Sequence, residues 1–304
     1  ILVTGVFSGT VDFDPGAGIV NRVSNGHIDV FILKLDPNGN FIWAKSFGGP
    51  STDEGISITT DLNNNIYLTG SFNGSVDFDP GTGISSFTSV ACRDIFVEKL
   101  DSNGNFLWVR TTVGASGNCS YGRSITTDAS GNVYTSGFLT GTVDFDSGVG
   151  TLNLTSNGSF DVYLEKIDSN GNIIWVKSIG GPGSDQVGSI TTDGTGDVYV
   201  SGGFFGTIDF DPGPGVMNLM SNGSQDGFIL KLYTGGNFQW ANPIGGNGSD
   251  RVAFIKADSL GRIYTTGYFQ QTVDFDPGAG TMNVTSNGMS DIFVEKLDVN
   301  GNFI

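Results

Sequence analysis

Short stretches of alternating apolar and polar residues, separated by turn-forming residues, follow one another along the chain. The segment 56–112 is representative, because its alternating stretches are rich in β-branched and aromatic residues. Its four predicted strands cover residues 56–61, 66–72, 94–100 and 106–110. The turn at 101–105 contains Gly and Asn, which tolerate the positive φ values of a hairpin connection. The pattern therefore predicts antiparallel strands joined by tight turns, and no helix.

The segment Val11-Asp12-Phe13-Asp14-Pro15-Gly16 occurs five times. The later copies cover 76–81, 143–148 (where Ser147 replaces the proline), 208–213 and 273–278, at spacings of 65, 67, 65 and 65 residues. Such a regular period indicates one supersecondary unit stacked on copies of itself. We expect five repeats, at approximately 1–55, 56–122, 123–187, 188–252 and 253–304.

Four antiparallel strands per repeat, arranged radially, are typical of a β-propeller blade. A blade of about 65 residues is longer than usual, and the excess falls in the Asp-Phe-Asp-Pro-Gly insertion between strands two and three, where the variable stretch that follows can add a short extra strand. A string of sandwich domains would need roughly 100 residues each. We therefore predict an all-β fold, with residues 1–304 forming a single β-propeller domain or a fragment of one. The chain starts within a strand pattern and stops in mid-repeat, so we expect a fragment, and the number of blades stays open.

The charge of the chain restricts its partners. The formal net charge is −17, with only 14 Lys and Arg residues. Nucleic-acid phosphates and anionic membrane surfaces are bound by clusters of Lys and Arg. No run of 18 apolar residues is present, so we expect no membrane span. A nucleic-acid or membrane partner is therefore not expected.

Acidic residues repeat with the period of the chain. Of the 31 Asp and Glu residues, 29 recur at equivalent positions of several repeats, here called repeat columns. A glycosidase needs one carboxylate pair in two distinct environments, not the same residue in every repeat. The two acids outside the columns, Glu54 and Asp197, lie in different repeats at different kinds of position. We therefore predict that the chain is not an enzyme.

The Asp-x-Asp pairs of the repeated segment are the candidate metal ligands. They are Asp12, Asp14, Asp77, Asp79, Asp144, Asp146, Asp209, Asp211, Asp274 and Asp276. In an extended segment the two aspartates face one side and the central Phe faces the core. Carboxylates with turn carbonyls near Gly16 and Gly18 are hard oxygen ligands that suit Ca²⁺, which takes six to eight oxygens. The alternative is that the aspartates cap turn amides, and the few oxygens that can be named favour capping.

Two further repeat columns have structural interpretations. Trp occurs at the same place in the fourth strand of four repeats, where packing between repeats is favoured over a sugar-stacking platform. The members are Trp43, Trp108, Trp175 and Trp240. A Lys column in the third strand is expected to extend its ammonium groups to solvent at a strand edge. Its members are Lys34, Lys99, Lys166, Lys231 and Lys296.

Residues that depart from the repeat are the better candidates for a specific function. Cys92 and Cys119 lie in predicted exposed loops of one region, and Cys119 lies in the connector with the two-residue insertion. A disulfide between them would fit an oxidising compartment, and two free loop thiols are the alternative. Arg93 and Arg123 flank the cysteines and would share a surface patch with them. His27 is the only His, which excludes a His-based triad or metal cluster.

Several motifs resemble the SBBP family of bacterial β-propeller repeats. They are the Gly-Ser-Val-Asp-Phe-Asp-Pro-Gly sequence of 74–81, the Asp-Val-Phe-Ile-Leu-Lys-Leu-Asp sequence of 29–36 and the Ser-Ile-Thr-Thr-Asp sequence of 189–193. The resemblance extends over the whole chain. It implies a propeller of a large secreted or cell-surface protein, many of which come from Bacteroidetes. The family brings no assigned reaction, so no catalytic residues are implied.

We therefore expect an extracellular or cell-surface module without catalytic activity. Its role would be adhesion, structural display or interaction with a protein or glycan at the cell surface, and the partner is unknown. Repeats of this kind offer broad or multivalent binding faces. The alternative is an enzyme acting on extracellular polysaccharide, or an accessory domain of one, with its site in the propeller channel or outside these residues. Fold analogy alone does not decide between them.

Overall fold

A computed structural model describes residues 1–146 and 148–304 of the chain, so Ser147 lies outside the described residues. The described residues form strands, turns and bends, which confirms the all-β fold class. None of them belongs to a helix that could span a membrane. The alternation of apolar and polar residues in the sequence is thus realised as strands.

The strands are numbered in chain order. The first two repeats contain β1 (Leu2–Phe7), β2 (Thr10–Asp12), β3 (Asn21–Val23), β4 (Asp29–Leu35), β5 (Phe41–Phe47), β6 (Glu54–Thr60), β7 (Ile66–Asp77), β8 (Ser86–Leu100) and β9 (Phe106–Thr111). The connector at the end of the second repeat contains β10 (Val113–Gly114). The third repeat contains β11 (Ser120–Thr127), which begins in that connector, β12 (Val133–Leu139), β13 (Thr142–Asp144), β14 (Asn153–Thr155), β15 (Asp161–Ile167) and β16 (Ile173–Ile179). The last two contain β17 (Gln186–Thr192), β18 (Val198–Asp209), β19 (Asn218–Leu232), β20 (Phe238–Ile244), β21 (Arg251–Ala257), β22 (Ile263–Phe269), β23 (Thr272–Asp274), β24 (Asn283–Thr285) and β25 (Asp291–Leu297).

The sheets follow the order of the chain. Three sheets have four strands, in the orders β6-β7-β8-β9, β11-β12-β15-β16 and β17-β18-β19-β20. Two sheets have three strands, β1-β4-β5 and β21-β22-β25. The pairs β2-β3 and β23-β24 are separate two-stranded sheets, and β10 pairs with β13, which pairs with β14. Neighbouring strands along each larger sheet are connected by short turns or by the insertion.

The Asp-Phe-Asp-Pro-Gly insertion is a hairpin, and the stretch after it adds the short extra strand that the sequence allowed. This strand is separate in three repeats (β3, β14 and β24) and continuous with the third strand in the other two (β8 and β19), where the third strand begins earlier than predicted. In the second repeat, β8 begins at Ser86 and pairs with β7 as far as Asp77. The register shifts between Phe72 and Gly74, where Gly74 adopts a φ of 72° that favours glycine. The hairpin positions Phe78, which is fully buried within 5.2 Å of the rings of Phe72 and Phe96. The insertion therefore closes one side of the core of its repeat.

The chain forms two compact units. Unit 1 comprises Ile1–Ile125 and Thr142–Asn153, and unit 2 comprises Thr126–Gly141 and Leu154–Ile304. The main apolar cluster of unit 1 is built around Phe47, Phe78 and Phe96. Unit 2 contains one cluster around Phe210 and Phe228 and a second around Phe275 and Phe293. The central Phe of the repeated segment thus lies in the core of both units, as the alternation predicts.

The Trp column packs against the turn of the following repeat. Gly236 adopts a φ of 78°, and a Cβ atom added there would lie 3.1 Å from the ring of Trp175. The Nε1 of Trp175 donates a hydrogen bond of 3.2 Å to the carbonyl oxygen of Thr234 in the same turn. Within their own units, Gly104 and Trp43, and Gly301 and Trp240, make the same ring contact. Glycine is therefore required in this turn for two reasons, its positive φ and the adjoining indole ring.

Three members of the Lys column, Lys99, Lys166 and Lys231, are buried, so the prediction that they extend into solvent was wrong, whereas Lys34 and Lys296 are half-buried. Lys231 is 2% exposed, and its Nζ lies 4.9 Å from the ring centre of Tyr199 and 3.4 Å from Asp197. The Nζ of Lys166 donates hydrogen bonds to the carbonyl and hydroxyl oxygens of Thr234, at 3.0 and 2.8 Å. The ammonium groups are held by aromatic rings and by oxygens of the next repeat, which offset the cost of burying them.

Candidate functional site

Hydrogen bonds from the backbone organise each Asp-x-Asp segment. In the first copy, Oδ1 of Asp12 accepts bonds from the N–H groups of Asp14 and Val20, at 3.1 and 2.8 Å. Oδ1 of Asp14 accepts a 2.7 Å bond from Gly16. The same three bonds occur in all five copies. The N–H groups of Val20 and Asp14 lower the pKa of Asp12. The aspartates therefore act as caps of the turn, one of the two interpretations of the sequence.

A second glycine makes this turn possible. A Cβ atom added to Gly18 would lie 2.1 Å from Oδ2 of Asp14, and the second glycines of the other copies show a distance of 2.0 or 2.1 Å. Only glycine allows the main chain to approach the carboxylate so closely. The described residues contain no group of three or more His, Cys, Asp or Glu side chains arranged to hold a metal ion. The ten aspartates thus lie in five separate loops with two carboxylates each, and calcium binding there stays a hypothesis.

Other acid columns are caps of the turns between strands. Oδ1 of Asp36 accepts bonds of 2.8 Å from the N–H groups of Asn38 and Asn40, while Oδ2 accepts one of 2.7 Å from the Asn40 side chain. The Asn40 side-chain amide is the main reason that the pKa of Asp36 is lowered. Asp101, Asp168 and Asp298 are held in the same way. These carboxylates maintain turns and are not available for chemistry.

The two acids outside the repeat columns are both paired with cations. Oε2 of Glu54 lies 2.8 Å from the Arg93 guanidinium. Asp197 pairs with the buried Lys231, and its Oδ1 accepts a bond of 3.3 Å from the N–H of Thr234. The pairs lie in different units, Glu54 in unit 1 and Asp197 in unit 2. Each of the two carboxylates is therefore held by a cation of its own unit.

A column of buried Glu residues lies in the third strand, and one of them, Glu98, lacks the hydrogen bond to a Thr that the other two make. Glu165 and Glu295 accept bonds from Thr135 and Thr265, which lie opposite them in the sheet, at 3.2 and 2.8 Å. Burial raises the pKa of Glu295 to about 7. Leu68 lies opposite Glu98, whose two oxygens have no hydrogen-bond partner among the described residues. Burial raises the pKa of Glu98 well above its usual value, and the charge of Asp79 adds to the shift.

Cys92 and Cys119 are joined by a disulfide in unit 1. The S–S distance is 2.11 Å and the Cα atoms are 4.9 Å apart. The N–H of Cys92 donates a bond of 2.8 Å to the carbonyl oxygen of Asn118, and Arg93 forms a β-bridge with Cys119. The disulfide thus attaches β8 to the connector that precedes β11.

Arg93 occupies a fixed position beside the disulfide. Its guanidinium contacts Glu54, donates a bond of 3.2 Å to the Ser71 hydroxyl and lies 5.7 Å from the ring centre of Tyr121. The second Arg of the predicted patch, Arg123, is exposed on β11 and is not part of the depression described next. The predicted surface patch therefore contains one of the two arginines.

A shallow depression of about 430 Å³ adjoins the disulfide and Arg93. It is lined by His27, Pro50, Ser51, Thr52, Asn73, Cys92 and Arg93, all of which lie in unit 1. His27 is exposed, and the structure gives no hydrogen-bond partner to its ring or to the hydroxyl groups of Ser51 and Thr52. Asn73 donates a bond of 2.6 Å from its Nδ2 to the carbonyl oxygen of Cys92.

Sequence reasoning identified the cysteines, Arg93 and His27 separately but did not bring them together. The signal was present in the repeat, because the equivalents of these residues in other copies are different residue types. Arg93, for example, occupies the place of Ile28, Phe160 and Gln225. A search for departures from the repeat would have collected most of the residues that line the depression. Their proximity depends on β-pairings that join distant parts of the sequence.

Comparisons with known proteins agree with a repeat architecture. The chain is 29% identical over 193 residues to the uncharacterized WD repeat-containing protein L264 of Acanthamoeba polyphaga mimivirus, covering 58% of this chain and 13% of that protein. It is 24% identical over 186 residues to the regulatory protein FlaEY of Caulobacter vibrioides, covering 60% of this chain and 19% of that protein. The chain therefore spans less than a fifth of the length of either relative. Residues 42–76 match the model of the SBBP family, described as a beta-propeller repeat, which confirms the resemblance to this family.

Proposed function

We propose that the chain is a non-catalytic interaction module of an exported protein and that its binding site is the depression beside the Cys92–Cys119 disulfide. The observation that carries the proposal is that residues which do not recur in the other repeats line this depression together. Residues that maintain the fold recur in every repeat, whereas His27, Cys92, Arg93 and Ser51 do not. A surface that serves one partner does not need to be repeated.

The proposal that the module is not an enzyme is supported by the positions of its acidic residues. The Asp-x-Asp pairs and the turn aspartates accept backbone N–H groups, and Glu54 and Asp197 are paired with cations. The Glu column is buried in the core. A glycoside hydrolase would need two accessible carboxylates that face each other across a bond to be broken.

An extracellular or cell-surface location is supported by the disulfide. Disulfides persist in oxidising compartments and are rare in the cytosol. The match to a beta-propeller repeat model and the WD repeats in the name of the mimiviral relative support a role in binding, since repeat proteins present extended interaction surfaces. Adhesion and structural display follow from such binding when the module belongs to a longer surface protein.

The chemistry of the depression favours a polar ligand with hydroxyl groups, such as a glycan. The imidazole of His27 and the hydroxyl groups of Ser51 and Thr52 offer donors and acceptors without protein partners. The guanidinium of Arg93 is neutralised by Glu54, so the site has no strong preference for an anion. A polar segment of a surface protein would use the same groups.

The proposal is tested by binding to an array of neutral and acidic oligosaccharides. We expect a subset of the oligosaccharides to bind the wild-type chain, and the double variant His27→Ala/Ser51→Ala to lose this binding about tenfold or more. Ser184→Ala, at a comparable connector position in unit 2, is the matched control and should bind as the wild type does. Absence of binding by the wild type, or equal binding by all three proteins, would contradict the proposed site.

The alternative, that the chain is an enzyme acting on polysaccharide, is tested by a second measurement on the same oligosaccharides. Release of new reducing ends from any arrayed oligosaccharide by the wild-type chain would show catalysis. We expect none, because the accessible Asp-x-Asp carboxylates accept N–H groups of their own turns and Glu54 and Asp197 are paired with cations. Catalysis that survives in the His27→Ala/Ser51→Ala variant would place an active site elsewhere.

A further inference from the structure

At three of the four connectors between repeats, two buried aspartates pack against the connector main chain. Each pair joins the residue that begins the third strand of one repeat to the last residue of the connector that follows. The pairs are Asp29 with Asp53, Asp161 with Asp185, and Asp226 with Asp250. All six side chains are at most 1% exposed. Each pair lies within one unit, the first in unit 1 and the other two in unit 2.

The two carboxylates of a pair contact consecutive glycines of the connector. In the connector 180–185, a Cβ atom added to Gly180 would lie 2.6 Å from Oδ1 of Asp161. The N–H of the next residue, Gly181, donates a bond of 2.8 Å to Oδ2 of Asp185. Gly48 and Gly49, and Gly245 and Gly246, have the same two contacts in the other connectors. The two acids therefore lie side by side against the main chain.

Donors are distributed unequally within a pair. Both oxygens of Asp185 are satisfied, by the N–H groups of Gly181 at 2.8 Å and Phe205 at 3.0 Å. Oδ2 of Asp161 accepts a bond of 2.8 Å from the N–H of Asn157, but its Oδ1 has no partner among the described residues. Oδ1 of Asp29 and of Asp226 is likewise buried without a partner. In each pair, therefore, one buried carboxylate oxygen has no hydrogen-bond donor among the described residues.

The fourth connector, 113–120, lacks the second carboxylate and serves as an internal control. Ser120 takes the place of the connector aspartate. The N–H of Gly114, which is equivalent to Gly49 and Gly181, donates a bond of 2.7 Å to Oδ1 of Asp94. The hydroxyl of Thr112 lies 3.5 Å from the same oxygen. Where no second carboxylate is present, the first one has its Oδ1 satisfied by the protein.

We propose that the three aspartate pairs are proton-binding sites, in which Asp29, Asp161 and Asp226 take up a proton on Oδ1 and stabilise the connectors at mildly acidic pH. Protonation removes the repulsion between two buried negative charges and neutralises a carboxylate that lacks a donor on one oxygen, and a neutral group costs less to bury than a charged one. A metal ion is a poorer occupant, because three of the four oxygens already accept N–H groups and the glycine main chain packs against the fourth.

The electrostatic surroundings agree with this assignment. Burial raises the pKa of Asp161 to about 6, partly countered by the N–H of Asn157 and reinforced by the charge of Asp185. Burial likewise raises the pKa of Asp226 to about 6, and the charge of Asp250 adds to it. Burial also raises the pKa of Asp29. Burial also raises the pKa of Asp53, and among nearby charges that of Asp29 raises this pKa while that of Arg93 lowers it. In the control connector burial raises the pKa of Asp94 as well, countered by the Ser89 hydroxyl and the N–H of Gly114, so the pairs differ from the control in their unpartnered oxygen and not in the direction of the shift.

The sign of the pH dependence follows from these shifts. A carboxyl with a folded-state pKa of about 6 and an ordinary value of 3.8 binds its proton about a hundredfold more tightly in the folded chain. The resulting stabilisation is complete below the ordinary value and is lost as the pH rises to about 6. Unfolding at pH 5 therefore releases protons from these sites.

The test combines thermal unfolding with proton release. We expect the wild-type chain to melt several degrees higher at pH 5.0 than at pH 7.5. In the double variant Asp161→Asn/Asp226→Asn, a neutral amide replaces the protonated acid, so the melting temperature at pH 7.5 should rise and the difference between the two pH values should shrink. Asp94→Asn is the control, and it should melt lower at both pH values because the N–H of Gly114 loses a charged acceptor.

Either of two outcomes of these measurements would overturn the proposal, and a third, with EDTA, would replace the proton by a cation. One is a double variant that is less stable than the wild type at pH 7.5, as Asp94→Asn is expected to be. The other is a wild-type chain whose unfolding at pH 5.0 releases no more protons than that of the double variant, measured by calorimetry in buffers of different ionisation enthalpy. A melting temperature that falls at pH 7.5 when EDTA is added, and does not fall in the double variant, would identify a cation and contradict proton binding.

Discussion

Two connectors of unit 1 perform the same task by different means. The connector 48–53 is held by Asp53, whose oxygens accept bonds of 2.7 Å from the N–H of Gly49 and 3.1 Å from the N–H of Asn73. The connector 113–120 is two residues longer, has Ser120 at the equivalent place and is attached to β8 by the Cys92–Cys119 disulfide. The first solution uses a buried charge that collects backbone donors, and the second uses a covalent bond.

The difference separates residues that maintain the fold from residues that are free to serve a partner. A connector aspartate must be enclosed to be effective, because its bonds gain strength from burial. A disulfide fixes the chain without enclosing it, so the neighbouring side chains remain at the surface. The depression that we propose as the binding site is lined by residues of the first connector, Ser51 among them, and by Cys92 of β8, which the disulfide joins to the second connector.

Removal of the disulfide should have the largest effect on stability. The bond closes a segment with a sequence separation of 27 residues, for which chain entropy predicts a contribution of about 3–4 kcal/mol. We expect the double variant Cys92→Ser/Cys119→Ser to lose this amount in urea unfolding, and reduction of the wild type to have the same effect. Reductant should not affect the double variant further, and an additional loss there would show that the thiols are not the target.

Removal of a connector aspartate should be the next largest effect. Asp185→Ala leaves the buried N–H groups of Gly181 and Phe205 without acceptors, which we expect to cost about 2–3 kcal/mol in the free energy of unfolding. The matched variant Ser120→Ala, at the same place in the disulfide-held connector, removes only weak hydroxyl contacts of 3.3 and 3.4 Å. Its expected cost is below about 1 kcal/mol. Equal losses of unfolding free energy in the two variants would contradict the claim that an aspartate holds one connector and a disulfide the other.

A smaller effect on stability is expected at the contact between a turn glycine and the Trp ring of the preceding repeat, which occurs in both units. Gly236→Ala places a methyl group in a turn with positive φ and against the ring of Trp175, for a cost of about 1–3 kcal/mol. Gly39→Ala is the control, because Gly39 has a φ of 86° and nothing within 4 Å of an added Cβ atom. The control isolates the backbone strain, so it should cost less, and thermal unfolding of both variants measures the part due to the Trp contact.

The smallest effect is expected from calcium. If the Asp-x-Asp aspartates are caps of the turn, melting in EDTA and in millimolar Ca²⁺ should agree within about one degree. A clear rise with Ca²⁺ would instead support the calcium hypothesis, since a ligand of the folded chain stabilises it by mass action. The variant Asp12→Asn would then lose the rise in part, while Asp36→Asn in the strand turn would keep it.

Local features of the fold could be predicted from the sequence, and distant pairings could not. Alternation identified the strands, and Asn-Gly identified the turn at 101–105, because both are set by residues close in the chain. Burial of Phe78 followed from its place between two aspartates. A short extra strand after the insertion was expected, but its continuity with β8 from Ser86 onwards was not, because that continuity depends on pairing with β7.

The candidate site was only partly predictable, for the same reason. The two cysteines were noticed as departures from the repeat, but the contribution of His27 and Ser51 to the same surface depends on the bridge between Ile28 and Thr52. The burial of Lys231 could not be read from its sequence, since the Tyr199 ring and Asp197 that hold it come from another strand and a turn. Pairing between strands that are distant in the sequence determines which of the non-repeating residues become neighbours.

Hydrogen exchange of the backbone amides, with and without reductant, tests the central comparison most directly. We predict that reduction removes protection from the amides of Cys92 and Asn118, which lie in the disulfide-held region. The amides of Gly49, Gly181 and Gly246, which donate to connector aspartates, should keep their protection. Unchanged protection at 113–120 after reduction, or equal loss in all four connectors, would contradict the account.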